Sequence, residues 1–281
     1  MIHSATLVSH WRTGSIRPIV LALIALAALG ISLAAALLWA QQMIGSAGPT
    51  GIIQYRTEAG VFAARPDGVA VDQLVSRLTP HTAQAEEFAS PDGAAVAFIQ
   101  RTDGGTWLAV REAGDVRRVA QIATPDDPPL VAGTKVNARD AGGVPLIVAW
   151  APDGRYLAYG SVTGQPYTLN VVERGVWTPQ QYTFRDGFVG ELAWSPDGRL
   201  LAVSSYSEDG RDHIVYLLEP ESGRLTRSID GCAIVWSPDS RYLALHRDPH
   251  REPGLWVLSV DGGASLVSDD PNAVPLAWLA E

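Results

Sequence analysis

The chain has 281 residues and carries 30 acidic against 21 basic side chains, a formal net charge of -9 at pH 7. All the acids and 19 of the bases fall in residues 51–281, so a surface that tracks phosphates is excluded and no nucleic-acid partner is expected. A single cysteine, Cys232, excludes an intrachain disulfide framework and a multi-cysteine metal centre, and 19 Pro, 27 Gly and 9 Trp argue against a helical bundle.

From Ile19 to Ala40 the chain runs 22 residues without a charge. At about 1.5 Å per residue such a helix is long enough for a hydrocarbon core of roughly 30 Å. Residues 18–40 are therefore expected to form a transmembrane helix that meets the membrane through residues 19–40, with Pro18 in the first turn, where a missing N–H costs nothing. Leu38-Trp39-Ala40, the nearest candidate cleavage site, has a bulky Leu where a small residue is required, which favours an uncleaved signal anchor. Arg12 and Arg17 lie before the span and the next basic residue is Arg56, so residues 1–17 are expected in the cytoplasm. Residues 41–50 then form a short tether, and residues 51–281 an outer domain, periplasmic or extracellular.

Beyond the tether one tetrapeptide recurs: Ser90-Pro91-Asp92-Gly93, Ala151-Pro152-Asp153-Gly154, Ser195-Pro196-Asp197-Gly198 and Ser237-Pro238-Asp239-Ser240. Its flanks recur as well, in VAWAPDGRYLAYGS, LAWSPDGRLLAVSS and IVWSPDSRYLALHR, whereas the first copy has Ala89 where the others have Trp. Trp150, Trp194, Trp236 and Trp278 are 44, 42 and 42 residues apart, within the span of a four-stranded propeller blade. Pro presets φ, Asp bonds back to local amides and Gly takes positive φ, so each Pro-Asp-Gly is a hairpin turn between two strands. Ser240 in the fourth copy requires either a left-handed non-glycine residue or a different turn. The neighbouring strands are apolar at nearly every position, which suits sheets covered on both faces.

The W-S-P-D-G-R-x-L-A pattern resembles the propeller repeat of TolB-type proteins, a repeat also found in the propellers of prolyl oligopeptidases. The resemblance covers residues 50–281 and implies an all-β propeller. TolB-type proteins would imply six blades and an α/β domain ahead of them, and this sequence shows no such domain. At roughly 40–50 residues per blade, 231 residues give about five four-stranded blades, with six as the alternative. Residues 51–79 supply three strands without an opening one, and Ala273 to Glu281 supply an opening strand with nothing after it, so the two termini are expected to complete one blade. Residues 123–143 read as a long surface loop.

No nucleophile elbow, H-E-x-x-H, P-loop, EF-hand or dinucleotide fingerprint is present. Asp153, Asp197 and Asp239 are explained, with Asp92, by turn bonding, and Trp150, Trp194, Trp236 and Trp278 by packing between blades. His246, Asp248 and His250 have the composition of a zinc or copper loop, but Pro249 forbids the helix that would align an i, i+4 pair, and no cofactor is expected. Glu86, Asp186, Glu191, Asp230 and Asp270 all lie three to eight residues before a Trp position or its equivalent, where they would ring one mouth of a central channel and bind a polar ligand. The first expectation is a non-enzymatic binding or scaffold module for a protein or envelope component. The alternatives are a propeller glycosidase using the channel-mouth carboxylates and an extracytoplasmic sensor working with a signalling partner.

Overall fold

The computed structural model describes residues 48–71, 87–127, 130–133, 144–161, 168–184, 188–207, 213–247 and 252–280. The expected membrane span lies outside these residues. Among the described residues no helix is long and apolar enough to cross a membrane. The chain divides into two units after Gly48, and every strand belongs to the second.

Each apolar run that ends in a Pro-Asp-Gly turn becomes the first strand of an antiparallel sheet, and the next three runs follow outward from it in chain order. Sheet 1 contains β1 (Ile52–Thr57), β2 (Gly60–Ala64) and the short β3 (Ala70–Val71). Sheet 2 contains β4 (Glu87–Ala89), β5 (Ala95–Thr102), β6 (Gly105–Glu112) and β7 (Asp115–Ala123). After β8 (Leu130–Gly133), sheet 3 continues through β9 (Val144–Trp150), β10 (Tyr156–Ser161), β11 (Thr168–Glu173) and β12 (Pro179–Thr183). Sheet 4 is β13 (Phe188–Trp194), β14 (Leu201–Tyr206), β15 (His213–Glu219) and β16 (Arg224–Asp230). Sheet 5 is β17 (Cys232–Trp236), β18 (Tyr242–Arg247), β19 (Gly254–Ser259) and β20 (Ala264–Ser268), and β21 (Val274–Leu279) returns to sheet 1 as its first strand.

That return joins the two ends of the domain. β21 lies antiparallel to β1, with Ile52 opposite Leu279 and Arg56 opposite Val274. Pro275, which has no N–H to give, sits on the innermost edge where the register shifts. The loop expected over residues 123–143 needs correction. Ala123 ends β7, and Leu130–Gly133 form a strand parallel to β9 on the inner edge of sheet 3. Leu130-Val131-Ala132 is a run of only three apolar residues with no turn signal or alternation to mark it out, too short for periodicity to distinguish a strand.

Three of the four turns share one hydrogen-bond pattern. The hydroxyls of Ser90, Ser195 and Ser237 donate to Asp92, Asp197 and Asp239 at 2.5, 2.6 and 2.6 Å, and accept the amides of Ala95, Leu200 and Tyr242 at 2.9, 3.0 and 2.9 Å. Asp153, preceded by Ala151, keeps only the amide of Arg155, at 2.9 Å. Ser240 does adopt the left-handed conformation, at φ 62°, and its Oγ accepts the amide of Asp197 in the preceding turn at 3.0 Å. That bond offsets the strain of a side chain in a glycine position.

Neighbouring sheets are joined by their first strands. The indole Nε1 of Trp150 donates to the carbonyl of Phe88 (2.9 Å), that of Trp194 to Ala149 (3.2 Å), and that of Trp236 to Ala193 (2.9 Å). In each case the acceptor is on the first strand of the preceding sheet. Trp278 differs, donating instead to Thr50 (2.8 Å) just ahead of β1. The rings pack as well as bond. Trp194 is 9% exposed and stacks on Tyr156 at 6.1 Å, within a cluster that spans sheets 3 and 4 and includes Leu169, Leu192 and Leu201.

Removing that ring should cost about 3–5 kcal/mol, so Trp194→Ala is expected to lower the thermal midpoint sharply in calorimetry. Deleting residues 273–281 should strip β1 of its inner partner and produce early melting or aggregation, whereas an ordinary frayed terminus could be removed without effect.

Candidate functional site

The first strands all begin on the face opposite the Pro-Asp-Gly turns, and this is where the expected carboxylates belong. Three of these strands, β13, β17 and β21, shift register near that end. In β13, Gly190 is the extra residue between Val189 and Glu191, and its missing side chain lets the Tyr206 ring lie against the backbone. In β17 the register shifts between Cys232 and Val235, with Ala233 at φ 56°. A bulge re-aims a side chain and removes a backbone group from the ladder. Here the two effects meet, because Glu191 Oε2 accepts the amide of Ile234 at 3.3 Å.

The structure separates the other expected residues. Asp230 ends β16, the outermost strand of sheet 4, opposite Ile214. Asp270 holds the turn into β21, where its Oδ1 accepts the amide of Asn272 at 2.8 Å and its carbonyl that of Ala273 at 2.9 Å. Glu86 and Asp186 lie outside the described residues, as do Asp248 and His250. His246 lies in β18 with Nδ1 3.0 Å from the carbonyl of Ala273, so this ring nitrogen bonds to the backbone. Among the described residues no group of three His, Cys, Asp or Glu side chains is placed to hold a metal ion. Beside His246, Arg247 binds Glu252 through Nη1 at 2.5 Å and lies 4.8 Å over the ring of Trp256.

On the turn face, arginines join neighbouring sheets, a feature the sequence reading missed. Arg174, just after β11, reaches back to sheet 2 and binds Asp92 at 2.7 Å and Glu112 at 2.6 Å. The Ser90 hydroxyl and then the Arg174 guanidinium hold the Asp92 carboxyl well below the usual carboxylate range, and Asp92 in turn raises Arg174. Arg155 binds Glu173 at 3.1 Å, approaches Glu221 of sheet 4 at 4.0 Å and lies 5.0 Å over Tyr156. For Arg155 the available signal was the Arg that follows the turn at positions 155, 199 and 241, whereas Arg174 follows no such turn.

A carboxylate whose folded pKa is depressed adds stability above its unfolded pKa and loses that contribution as the pH falls. The Asp92 contribution is therefore expected in full above about pH 4, and to fade below it. Asp92→Asn should lower the neutral-pH midpoint and flatten its fall in acid, measured by thermal unfolding across pH. For Glu191, removal of the acceptor should leave the Ile234 amide unsatisfied at a cost of about 1–3 kcal/mol. Glu191→Ala should therefore destabilise more than Glu191→Gln, which retains an oxygen.

The WD domain, G-beta repeat model matches residues 179–217. This stretch begins with β12, the outer strand of sheet 3, and ends within β15, the third strand of sheet 4. Nothing among curated proteins matches the chain. Among solved structures it is similar to TolB from Acinetobacter baumannii, at 16% identity over 86% of this chain and 70% of that one, with a TM-score of 0.47. It is also similar to a putative TolB from Agrobacterium tumefaciens, at 14% identity over 83% and 90%, with a TM-score of 0.41. The β-propeller domain of the Trilobed protease from Pyrococcus furiosus gives 13% identity over 66% and 57%, with a TM-score of 0.43. At these values the likenesses carry no argument about activity. The successive sheets, four-stranded and antiparallel apart from the parallel β8 added to sheet 3, together with the WD repeat match at residues 179–217, support a TolB-like or WD-like β-propeller fold.

Proposed function

We propose that the protein is a membrane-anchored, extracytoplasmic propeller of five blades that binds a protein or envelope component without catalysing a reaction. The observation that carries this reading is the use to which the described polar groups are put. Glu191 caps a bulge amide, Asp270 and the four turn aspartates hold their own turns, and His246 bonds a backbone carbonyl. A catalytic carboxylate needs a free oxygen aimed at a substrate, whereas a scaffold needs its loops held still.

The chain enters the propeller on the turn face, where Thr50 accepts the Trp278 indole. The opposite face, with the starts of the first strands and the Arg247–Glu252–Trp256 group, is the proposed binding face. Arg and Trp are favoured anchors in interfaces because each combines a broad apolar surface with a polar tip. The uncharged residues 19–40, preceded by Arg12 and Arg17, support the anchor and the outward placement of the domain.

A reporter fused after Glu281 is expected to be active only in its exported form, and activity in the cytoplasm would reject the topology. Cross-linking of the full chain in intact cells should trap an envelope component, and Arg247→Ala should reduce its yield. Hydrolysis of an envelope polysaccharide by the purified chain, lost in Glu191→Gln, would replace binding with catalysis.

A further inference from the structure

Exposed aliphatic side chains scattered singly over a surface need no explanation. Here they recur at one place. Of the eight exposed large apolar side chains among the described residues, five stand in or just after the hairpin that joins the third and fourth strands of a sheet. Each sheet supplies one: Val69, Val116, Val176, Leu225 and Leu266 in sheets 1 to 5, with exposures between 43% (Leu266) and 61% (Val176). Neighbouring strands are antiparallel, so a third strand ends where the first does and these hairpins lie on the turn face. Arg174, in the hairpin after β11, accordingly reaches Asp92 at 2.7 Å, and Gly68, in the hairpin after β2, lies beside the carbonyl of Val267 in sheet 5. Leu279, a sixth exposed apolar residue, ends β21 on the same face, and the remaining two, Val61 and Phe62, stand at the other end of the sheets, at the start of β2.

The chain enters the domain on this face too, at Thr50 beside the Trp278 indole. Only residues 41–48 separate the expected span from Pro49. Fully extended, eight residues cover at most about 30 Å. We infer that the turn face lies on the bilayer that carries the anchor, with its exposed aliphatic side chains dipping into the headgroup layer. The inference rests on the anchored reading above and adds to it which way the domain faces. A short tether holds the face at an effective concentration on the order of millimolar against the bilayer. Side chains too few to bring a free protein to lipid are then enough to keep a tethered one there.

The connections between second and third strands, at the other end of the sheets, have a different chemistry. Four of the five, residues 57–60, 102–105, 207–212 and 248–253, contain seven acidic residues, two arginines and no Val, Leu, Ile or Met. Carboxylates of this kind keep their water and are repelled by anionic headgroups. On the turn face the acids are already engaged. Asp92, Asp153, Asp197 and Asp239 accept amides of their own turns, and Arg174 and Arg155 meet Asp92, Glu112 and Glu173. Arg199 and Arg224 are exposed among the aliphatic residues. That combination suits the boundary between headgroups and acyl chains, where an arginine lays its stem along apolar surface and leaves its guanidinium with phosphate.

The test uses the full chain carrying Cys232→Ser, reconstituted in phosphatidylcholine vesicles that contain a lipid with a nitroxide just below its headgroup. A fluorophore on Val176→Cys or Leu225→Cys should lose roughly half of its emission to the nitroxide, and one on Val61→Cys, at the other end of the sheets, almost none. Adding Val69→Ser, Val116→Ser and Leu266→Ser, all at exposed positions, should weaken the quenching at 225 and leave the thermal midpoint unchanged. Retention of the chain in the vesicles through an alkaline wash reads the anchor by itself. A retained chain with equal quenching at 61, 176 and 225, or with none at any of them, would overturn the inference and leave the anchor standing. Labels at 176 and 225 that are shielded from iodide yet unquenched by the lipid would also overturn it, since a protein would then cover the face. A chain that washes off rejects the anchor, and the inference with it.

Discussion

A sheet that is apolar on both faces is stable in water only when both faces are covered, and the propeller meets this requirement by making each sheet the cover of the next. Everything else in the domain depends on those joints. Tryptophan at the end of β9, β13 and β17 serves the joint in two ways, because its ring fills the space between sheets while its N–H reaches a carbonyl of the strand behind. The bond fixes how far the strands slide past one another, and the ring fixes how close they approach. Where the chain closes on itself the same residue is reused, since Trp278 packs near Tyr242 and ties down Thr50 at the start of β1.

The polar residues follow from the same arrangement. Strands buried on both faces leave little room for charge, so the acidic excess gathers at turns and strand ends, where its carboxylates meet backbone amides and arginines. Successive turns touch: Asp153 lies against Gly198, and Asp197 against Ser240, so a small residue is needed there. Arg174 and Arg155 reinforce this contact from the side. Such half-exposed ion pairs contribute modestly and are weakened by salt.

The repeat seen in sequence and the sheet seen in structure are out of phase. The WD match begins on the outer strand of sheet 3 and ends on the third strand of sheet 4, so one repeat unit crosses a joint. A joint is thereby encoded inside a repeat. In sheet 2, where Ala89 stands in place of Trp, β4 still pairs with β5 and the sheet continues through β6 and β7.

The all-β class, the four-strand unit, the turns and the pairing of the two termini were legible because each rests on local chemistry: Pro-Asp-Gly, a Trp every 42 to 44 residues, and unmatched strands at both ends. In the structure the turn aspartates accept amides of their own turns, and the indoles of Trp150, Trp194 and Trp236 bond the preceding first strand. The parallel strand Leu130–Gly133 was not legible, since a strand inserted at an inner edge carries no periodicity of its own. Glu191 was singled out as a carboxylate near a channel, yet its partner, the Ile234 amide, lies 43 residues away and becomes accessible only because two strands bulge at the same end. Arg174 meets Asp92 across 82 residues. Contacts of this kind depend on how one sheet is rotated against the next, a quantity with no signature in the neighbourhood of either residue, and so they emerge only when the sheets are packed.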